Sequence, residues 1–311
     1  MSSPDNNGYG CSRSSRNRLW ILPLFLLTAC STPTAPAPAA VVVPTPTVRV
    51  QAPSQPYDAF RGDLLDVIAA AVLVERDRCM AKADYPELQE IGGQPASGSF
   101  DDLKVTAAAF GATSAVEARR RGFGRDVPAE PPAVRSTSQK FSDAMDRCTQ
   151  EANARLGPNA MEVQSRYYDL GNQLRMALRP VYADKMPPRF AVPVLACLRA
   201  KGFTSKTPDV RTFGIPFGNA GPEPSPGWDK RGVLQVRPAN PARPYVPTSQ
   251  ESALAAAWYD CTTTAGWPRF QLTRALALQA TTVHNLKPQL DELTPTIKSL
   301  AHQANTVIAQ Q

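Results

Sequence analysis

Histidine is nearly absent from this chain: its 311 residues hold two, His284 and His302. Both fall inside helical patterns near the C-terminus, and no GxSxG nucleophile elbow stands anywhere to pair with them. The usual routes to Ser-His or Cys-His catalysis are therefore closed, and each histidine reads as a helix-surface residue. Walker loops, glycine-rich dinucleotide fingerprints, HExxH and EF-hand loops are missing as well. So are close cysteine pairs of the CxxC kind, so no structural zinc and no cofactor are expected. What remains for chemistry is carboxylates, notably Asp101-Asp102 and Asp291-Glu292. Adjacent acids on a helix point in different directions, and acids at a helix start have a capping role. The chain reads as not an enzyme, with an envelope hydrolase using two carboxylates as the alternative.

The N-terminus reads as an address rather than as structure. Arg13, Arg16 and Arg18 form a positive region, followed from Leu19 to Thr28 by the apolar run LWILPLFLLT, which is too short for a membrane span. The run ends in Leu27-Thr28-Ala29-Cys30 and resembles a lipobox, which implies diacylglyceryl modification of Cys30 and cleavage ahead of it. Residues 1–29 are thus read as a lipoprotein signal peptide. Residues 30–56 carry spaced prolines that block helix and central strand, and read as an extended tether behind the lipid. The formal charge of +7 includes a net +2 from residues ahead of Cys30, so the processed chain carries +5. That is ordinary for solubility and calls for no nucleic-acid partner.

With Cys11 discarded and Cys30 lipidated, Cys79, Cys148, Cys197 and Cys261 remain. Export places them in an oxidising compartment, where pairing is expected, and four cysteines allow three connectivities. Helical spacing puts three of them on apolar stripes. Leu64, Ile68, Val72, Cys79 and Met80 recur over 63–80; Phe141, Met145, Cys148, Ala152 and Leu156 over 141–156; Leu254, Trp258, Cys261 and Ala265 over 251–265.

A longer helix is predicted over 159–182, with Val163, Tyr167, Leu170, Leu174, Leu178 and Val181 inward. Near the C-terminus, Leu272, Leu276 and Val283 lead to Pro288, after which Leu290, Leu293, Ile297, Leu300 and Ala304 form a heptad-like stripe. Those two segments read as a hairpin of helices, although such a stripe also suits an oligomerising surface. Capping boxes at Ser99-x-x-Asp102 and Ser114-x-x-Glu117 predict two short helices, the second closing at Gly122 after Arg119-Arg120-Arg121. The stretch 207–249, dense in proline and glycine, reads as an irregular insertion folded over the surface, with Trp228 and Tyr245 as its anchors. The fold class is all-α: a disulfide-linked helical bundle spanning 57–311.

Three cysteines share one local frame: Cys79 with Asp84-Tyr85, Cys197 with Gly202-Phe203, and Cys261 with Gly266-Trp267. Each reads as a helix ending in a left-handed cap, with an aromatic folding back on the apolar face. Each half also holds a Phe-Gly segment, Gly122 to Arg125 and then Phe213 to Gly218. This hint of two halves favours Cys79 with Cys148 and Cys197 with Cys261. In these motifs, and in AMDRCTQEA, PVLACLRAKGF and AAAWYDCTTTAGW around the last three cysteines, the chain resembles secreted lipoproteins of high-GC Gram-positive bacteria. It departs from them at Asp84, where glycine is usual, at Leu198, where methionine is usual, and in lacking an aromatic before Cys197. The resemblance implies export, lipidation and a disulfide scaffold, and supplies no catalytic residue.

Taken together, these features predict a lipoprotein anchored outside the cytoplasmic membrane, or in the outer membrane of an organism that has one. The expected role is a non-catalytic module that binds an envelope polymer, a peptide or a membrane-protein partner. A purely structural oligomerising lipoprotein is the remaining alternative.

Overall fold

The computed structural model describes residues 55–91, 98–224 and 227–310. The described residues all belong to one compact unit. Cys11, the expected lipidation site Cys30, the expected signal peptide and most of the expected proline-rich tether lie outside the described residues.

Among these residues the architecture is all-α with one small sheet. Three long helices make the main core: α1 (Gly62–Lys82), α5 (Ala160–Ala183) and α8 (Trp267–Ala309). Their apolar stripes meet through Leu64, Ile68 and Ala71 of α1, Tyr167, Leu170, Leu174 and Leu178 of α5, and Leu293, Ile297 and Leu300 of α8. Steps of three and four residues on each helix give one continuous face, and burying such faces is the main favourable contribution to folding. The core includes polar groups that hydrogen-bond within it, although Gln279 Oε1 meets no partner among the described residues. Tyr57 donates its hydroxyl to the Leu174 carbonyl at 2.9 Å, and the Tyr167 hydroxyl accepts the Arg61 N–H at 2.9 Å. Gln279, fully buried on α8, donates to the Leu103 carbonyl at 3.0 Å.

Around this core stand α2 (Glu87–Ile91), α3 (Ala115–Arg121), α4 (Gln139–Leu156), α6 (Pro188–Ala200) and α7 (Ser249–Thr264). α4 packs on α1, and both α3 and α6 pack on α7. Each disulfide has its own small core. Cys79–Cys148 joins α1 to α4, Cα atoms 5.5 Å apart, beside Met80, Tyr85 and Phe141. Cys197–Cys261 joins α6 to α7, Cα atoms 5.7 Å apart, beside Val194, Leu198 and Leu254.

Four expectations are corrected. The C-terminal hairpin is a single helix of 43 residues that runs through Pro288 and Pro295. Each proline removes one intrahelical hydrogen bond, but both are exposed and the apolar stripe continues in register through Leu286, Leu290, Leu293 and Ile297. Continuous burial outweighs two local losses. The Ser99 box makes only a three-residue turn, Asp101–Leu103, because Ser99 gives its hydroxyl to Asp66 at 2.9 Å instead of capping. Gln55 and Pro56, read as the end of the tether, belong to the fold: Gln55 Oε1 accepts the Val105 N–H at 2.9 Å, and Pro56 opens a short turn.

The fourth correction concerns the 207–249 insertion, which carries strands. β1 (Ala133–Ser136), β2 (Asp229–Arg231) and β3 (Leu234–Arg237) form an antiparallel sheet in the order β1-β3-β2, pairing Val134 with Val236 and Ser136 with Leu234. Leu234 and Val236 point inward while Gln235 and Arg237 are less buried. That alternation covers only four residues, too short to stand out in the sequence. Single bridges Val127 to Arg243 and Glu130 to Asn240 continue the pairing of the insertion with 127–136.

Candidate functional site

The two Phe-Gly segments, assigned by sequence to separate halves, come together at one side chain. Glu251 sits in the first turn of α7, whose N-cap Thr248 accepts the Glu251 N–H at 3.1 Å. Its carboxylate is fully buried. Oε1 accepts the Phe123 N–H at 2.7 Å and Oε2 accepts the Gly218 N–H at 2.7 Å. The Tyr245 hydroxyl lies 3.1 and 3.0 Å from the same two oxygens. Among the described residues no cation pairs with this carboxylate, so backbone dipoles and one phenol hold the charge. Burial, and then the hydrogen bond and charge of Glu251, push the Tyr245 phenol above its ordinary value.

The glycines of the two segments have a steric reason. A Cβ on Gly124 would lie 2.2 Å from the Tyr245 ring, and one on Gly218 would lie 1.9 Å from the Val246 carbonyl oxygen. Only glycine lets the backbone approach this closely. Phe123 and Phe217 then meet with ring centroids 6.2 Å apart, and Phe123 stands edge-on to Trp258. Hence Phe123, flanked in sequence by Cys79 and Cys148, packs in the core of the other disulfide. The disulfide connectivity is local to each half while the Phe-Gly contacts cross between them.

Tyr245 anchors the insertion as expected, its N–H also bonding Asp126 at 2.7 Å. Trp228 does not reach a core. It is 37% exposed, with the Arg135 guanidinium 4.0 Å above its ring.

This hub fixes one wall of a groove of about 300 Å³. Gly122, Phe123, Gly124 and Arg125 line it together with Trp258, Tyr259, Trp267 and Phe110. Phe110 belongs to a short turn, Ala107–Phe110, and Tyr259 ties α7 to the segment after it by donating its hydroxyl to the Thr113 carbonyl at 3.1 Å. Trp258 and Tyr259 both reach the groove from α7, and Gly266 (φ +77°) turns the chain so that Trp267 opens α8 there. At the rim, Arg121 is held by Glu117 at 3.0 Å, whereas Arg125 is exposed with no hydrogen bond or ion pair among the described residues. Glu117 itself accepts the Thr113 N–H and hydroxyl and is held down to about 2 by those bonds and by Arg121. Aromatic walls with a cationic rim suit a ligand that pairs an apolar face with an anionic group.

The other sequence candidates are not gathered here. His284 and His302 are exposed on α8. Asp102 pairs with Arg175 at 2.6 Å, Asp291 with Lys287 at 2.8 Å and Glu292 with Arg166 at 2.6 Å. Of the arginine run, Arg119 and Arg120 are exposed at the end of α3. Cys30 lies outside the described residues. Among the described residues no group of three or more His, Cys, Asp or Glu is placed to hold a metal ion, and no helix is long and apolar enough to cross a membrane. Glu251 had escaped the sequence reading, because a single Glu two residues into a helix looks like a dipole-matched surface acid. Comparison with known proteins gives no match to a family model, a curated protein or a solved structure.

Proposed function

We propose that this chain is an exported lipoprotein, held by a diacylglyceryl group on Cys30, whose helical domain is a non-catalytic binding module of the cell envelope. The observation that carries the binding role is the groove beside Glu251. Its lining draws on the motif residues 122–125, Ala255, Trp258, Tyr259, Thr262 and Trp267, a buried hub holds Phe123 in place, and Arg125, unpaired among the described residues, faces solvent. A rigid scaffold that presents aromatic faces and a free guanidinium is suited to recognition, since little order has to be gained on binding. The ligand class is a peptide or wall-polymer fragment with an apolar face and an acidic group. The two disulfides favour the oxidising compartment that the lipobox implies.

A photo-crosslinking residue at Ala112, inside the groove, tests the binding reading in cells that make the protein. The same adduct in repeated preparations, lost on Arg125→Gln, is the expected result. No adduct under saturating illumination, or one indifferent to Arg125→Gln, overturns it. Mass spectrometry of the N-terminal peptide from native membranes tests the anchor: a diacylglyceryl group on Cys30 supports it, and an unmodified Cys30 overturns it.

A further inference from the structure

A second cleft, of about 230 Å³, lies between α1 and α4 beside the Cys79–Cys148 bridge and shares no lining residue with the aromatic groove. Its chemistry follows from helical spacing. Glu75, Arg78 and Lys82 stand at i, i+3 and i+7 on α1, one face of that helix; Arg147, Glu151 and Arg155 stand at i, i+4 and i+8 on α4, again one face. The disulfide clamps the helices together at Cys79 and Cys148, so the two charged stripes face each other. Four cations thus meet two carboxylates.

The carboxylates do not neutralise the cleft. Glu75 is 5% exposed, with one oxygen accepting from Arg78 at 2.5 Å and the other from Arg155. It fixes two guanidiniums in place, using one N–H of each and leaving their other donors without partners among the described residues. Among the described residues Lys82 makes no hydrogen bond or ion pair, and Arg147 reaches Glu151 only at 4.0 Å. Glu151 also lies 3.5 Å from Cys79 Sγ, a disulfide sulfur with no proton to give, and at 57% exposure it can turn to solvent. The cleft is left with two positive charges in excess and an array of directed donors.

We propose that this cleft binds a phosphate group, as a free ester, in a phosphodiester polymer or in a lipid headgroup. Guanidinium forks grip oxyanions through paired N–H bonds, and a lysine adds a point charge. A phosphate monoester carries roughly two charges, and a phosphodiester polymer or a lipid surface presents several side by side, so each matches the excess of two better than an isolated carboxylate does. The buried Glu75 is a positioning residue: it sets the two forks before any ligand arrives.

Calorimetric titration of the full chain with inorganic phosphate, with glycerophosphoglycerol and with phosphatidylglycerol-containing vesicles tests this. The comparison is Lys82→Gln/Arg147→Gln, which leaves the Arg78–Glu75–Arg155 tie intact, with Lys201→Gln as a control on a cation paired elsewhere with Asp260. Saturable binding that weakens at least about ten-fold in the double variant, and not in the control, is expected. Preference for the soluble probes assigns a free or polymeric ester, and preference for vesicles assigns a lipid headgroup. Binding indifferent to the double variant, or no saturable binding of any of the three probes, overturns the proposal.

Discussion

Phe123 and Glu251, 128 positions apart, are joined by a 2.7 Å hydrogen bond from the Phe123 backbone N–H to Oε1. With Gly218 on the other oxygen and Tyr245 across both, a buried anion becomes the point where α3, the proline-rich insertion and α7 are registered against one another. A carboxylate suits that place because it only accepts. Two backbone N–H groups and a hydroxyl converge on it, and all need an acceptor.

Glu251→Gln tests this requirement at almost constant volume. The amide offers one acceptor and one NH₂ group, so in either orientation one backbone N–H faces a donor. The expected loss is about 2–4 kcal/mol, read as a lower urea midpoint with an unchanged slope. A change within about 0.5 kcal/mol, the range of an ordinary surface substitution, would sink the hub.

Tyr245 supplies a pH test. Its phenol is raised above the ordinary 10.0 by burial and by the neighbouring carboxylate. A group whose folded value is raised contributes stability that is complete below the unfolded value, here 10.0, and is lost as pH climbs through the folded one. Tyr57, Tyr167 and Tyr182 are raised by burial too, so ultraviolet titration should show one late-ionising tyrosine fewer in Tyr245→Phe than in the wild type, and stability should fall more steeply above pH 10.0 in the wild type than in the variant. Equal slopes in the two proteins would count against the arrangement.

The two disulfides close segments of 69 and 64 residues. On the chain-entropy account each removes about 4 kcal/mol from the stability of the competing unfolded state. Cys79→Ala/Cys148→Ala and Cys197→Ala/Cys261→Ala should therefore cost similar amounts in denaturant. They should differ locally. The second pair lies in the core that holds Phe123 and Trp258, so its loss should change near-ultraviolet tryptophan dichroism more than loss of the first. Identical spectra in the two variants would argue against that packing.

Much of the fold was legible because the long helices repeat an apolar step of three or four over several turns, as Tyr167, Leu170, Leu174 and Leu178 do in α5. What escaped notice was either short or non-local. β3 alternates for four residues only. Pro288 looked like a stop because its local cost is visible in sequence, whereas the continuous core against α1 and α5 is not. The paired cysteines and Phe-Gly segments both suggested halves, and the structure separates them: the bridges are local, while Phe123 crosses to Trp258. Of the groove, Phe123, Trp258 and Trp267 belonged to motifs already noted, but nothing in their spacing said that they meet.

The repeated frame after Cys79, Cys197 and Cys261 gives a last prediction. Asp84, Gly202 and Gly266 all adopt left-handed backbone, with φ of 75°, 89° and 77°. In the first two, the following aromatic returns its N–H to the helix, Tyr85 to Met80 at 3.0 Å and Phe203 to Leu198 at 2.9 Å, so the backbone conformation does the same work in both. At the first position an aspartate bears the steric cost of its Cβ in that region. Its return is one ion pair, 3.4 Å from Lys140, between side chains that are 84% and 74% exposed, and such pairs contribute little. Glycine removes the Cβ cost but adds freedom to the unfolded chain, which offsets part of the gain. Asp84→Gly should therefore stabilise the protein by roughly 0.5–1 kcal/mol, and Asp84→Ala, which keeps the Cβ, should not. Thermal melts of the three proteins decide it. If Asp84→Gly destabilises while Asp84→Ala is neutral, the left-handed cap is not what limits stability at this helix end.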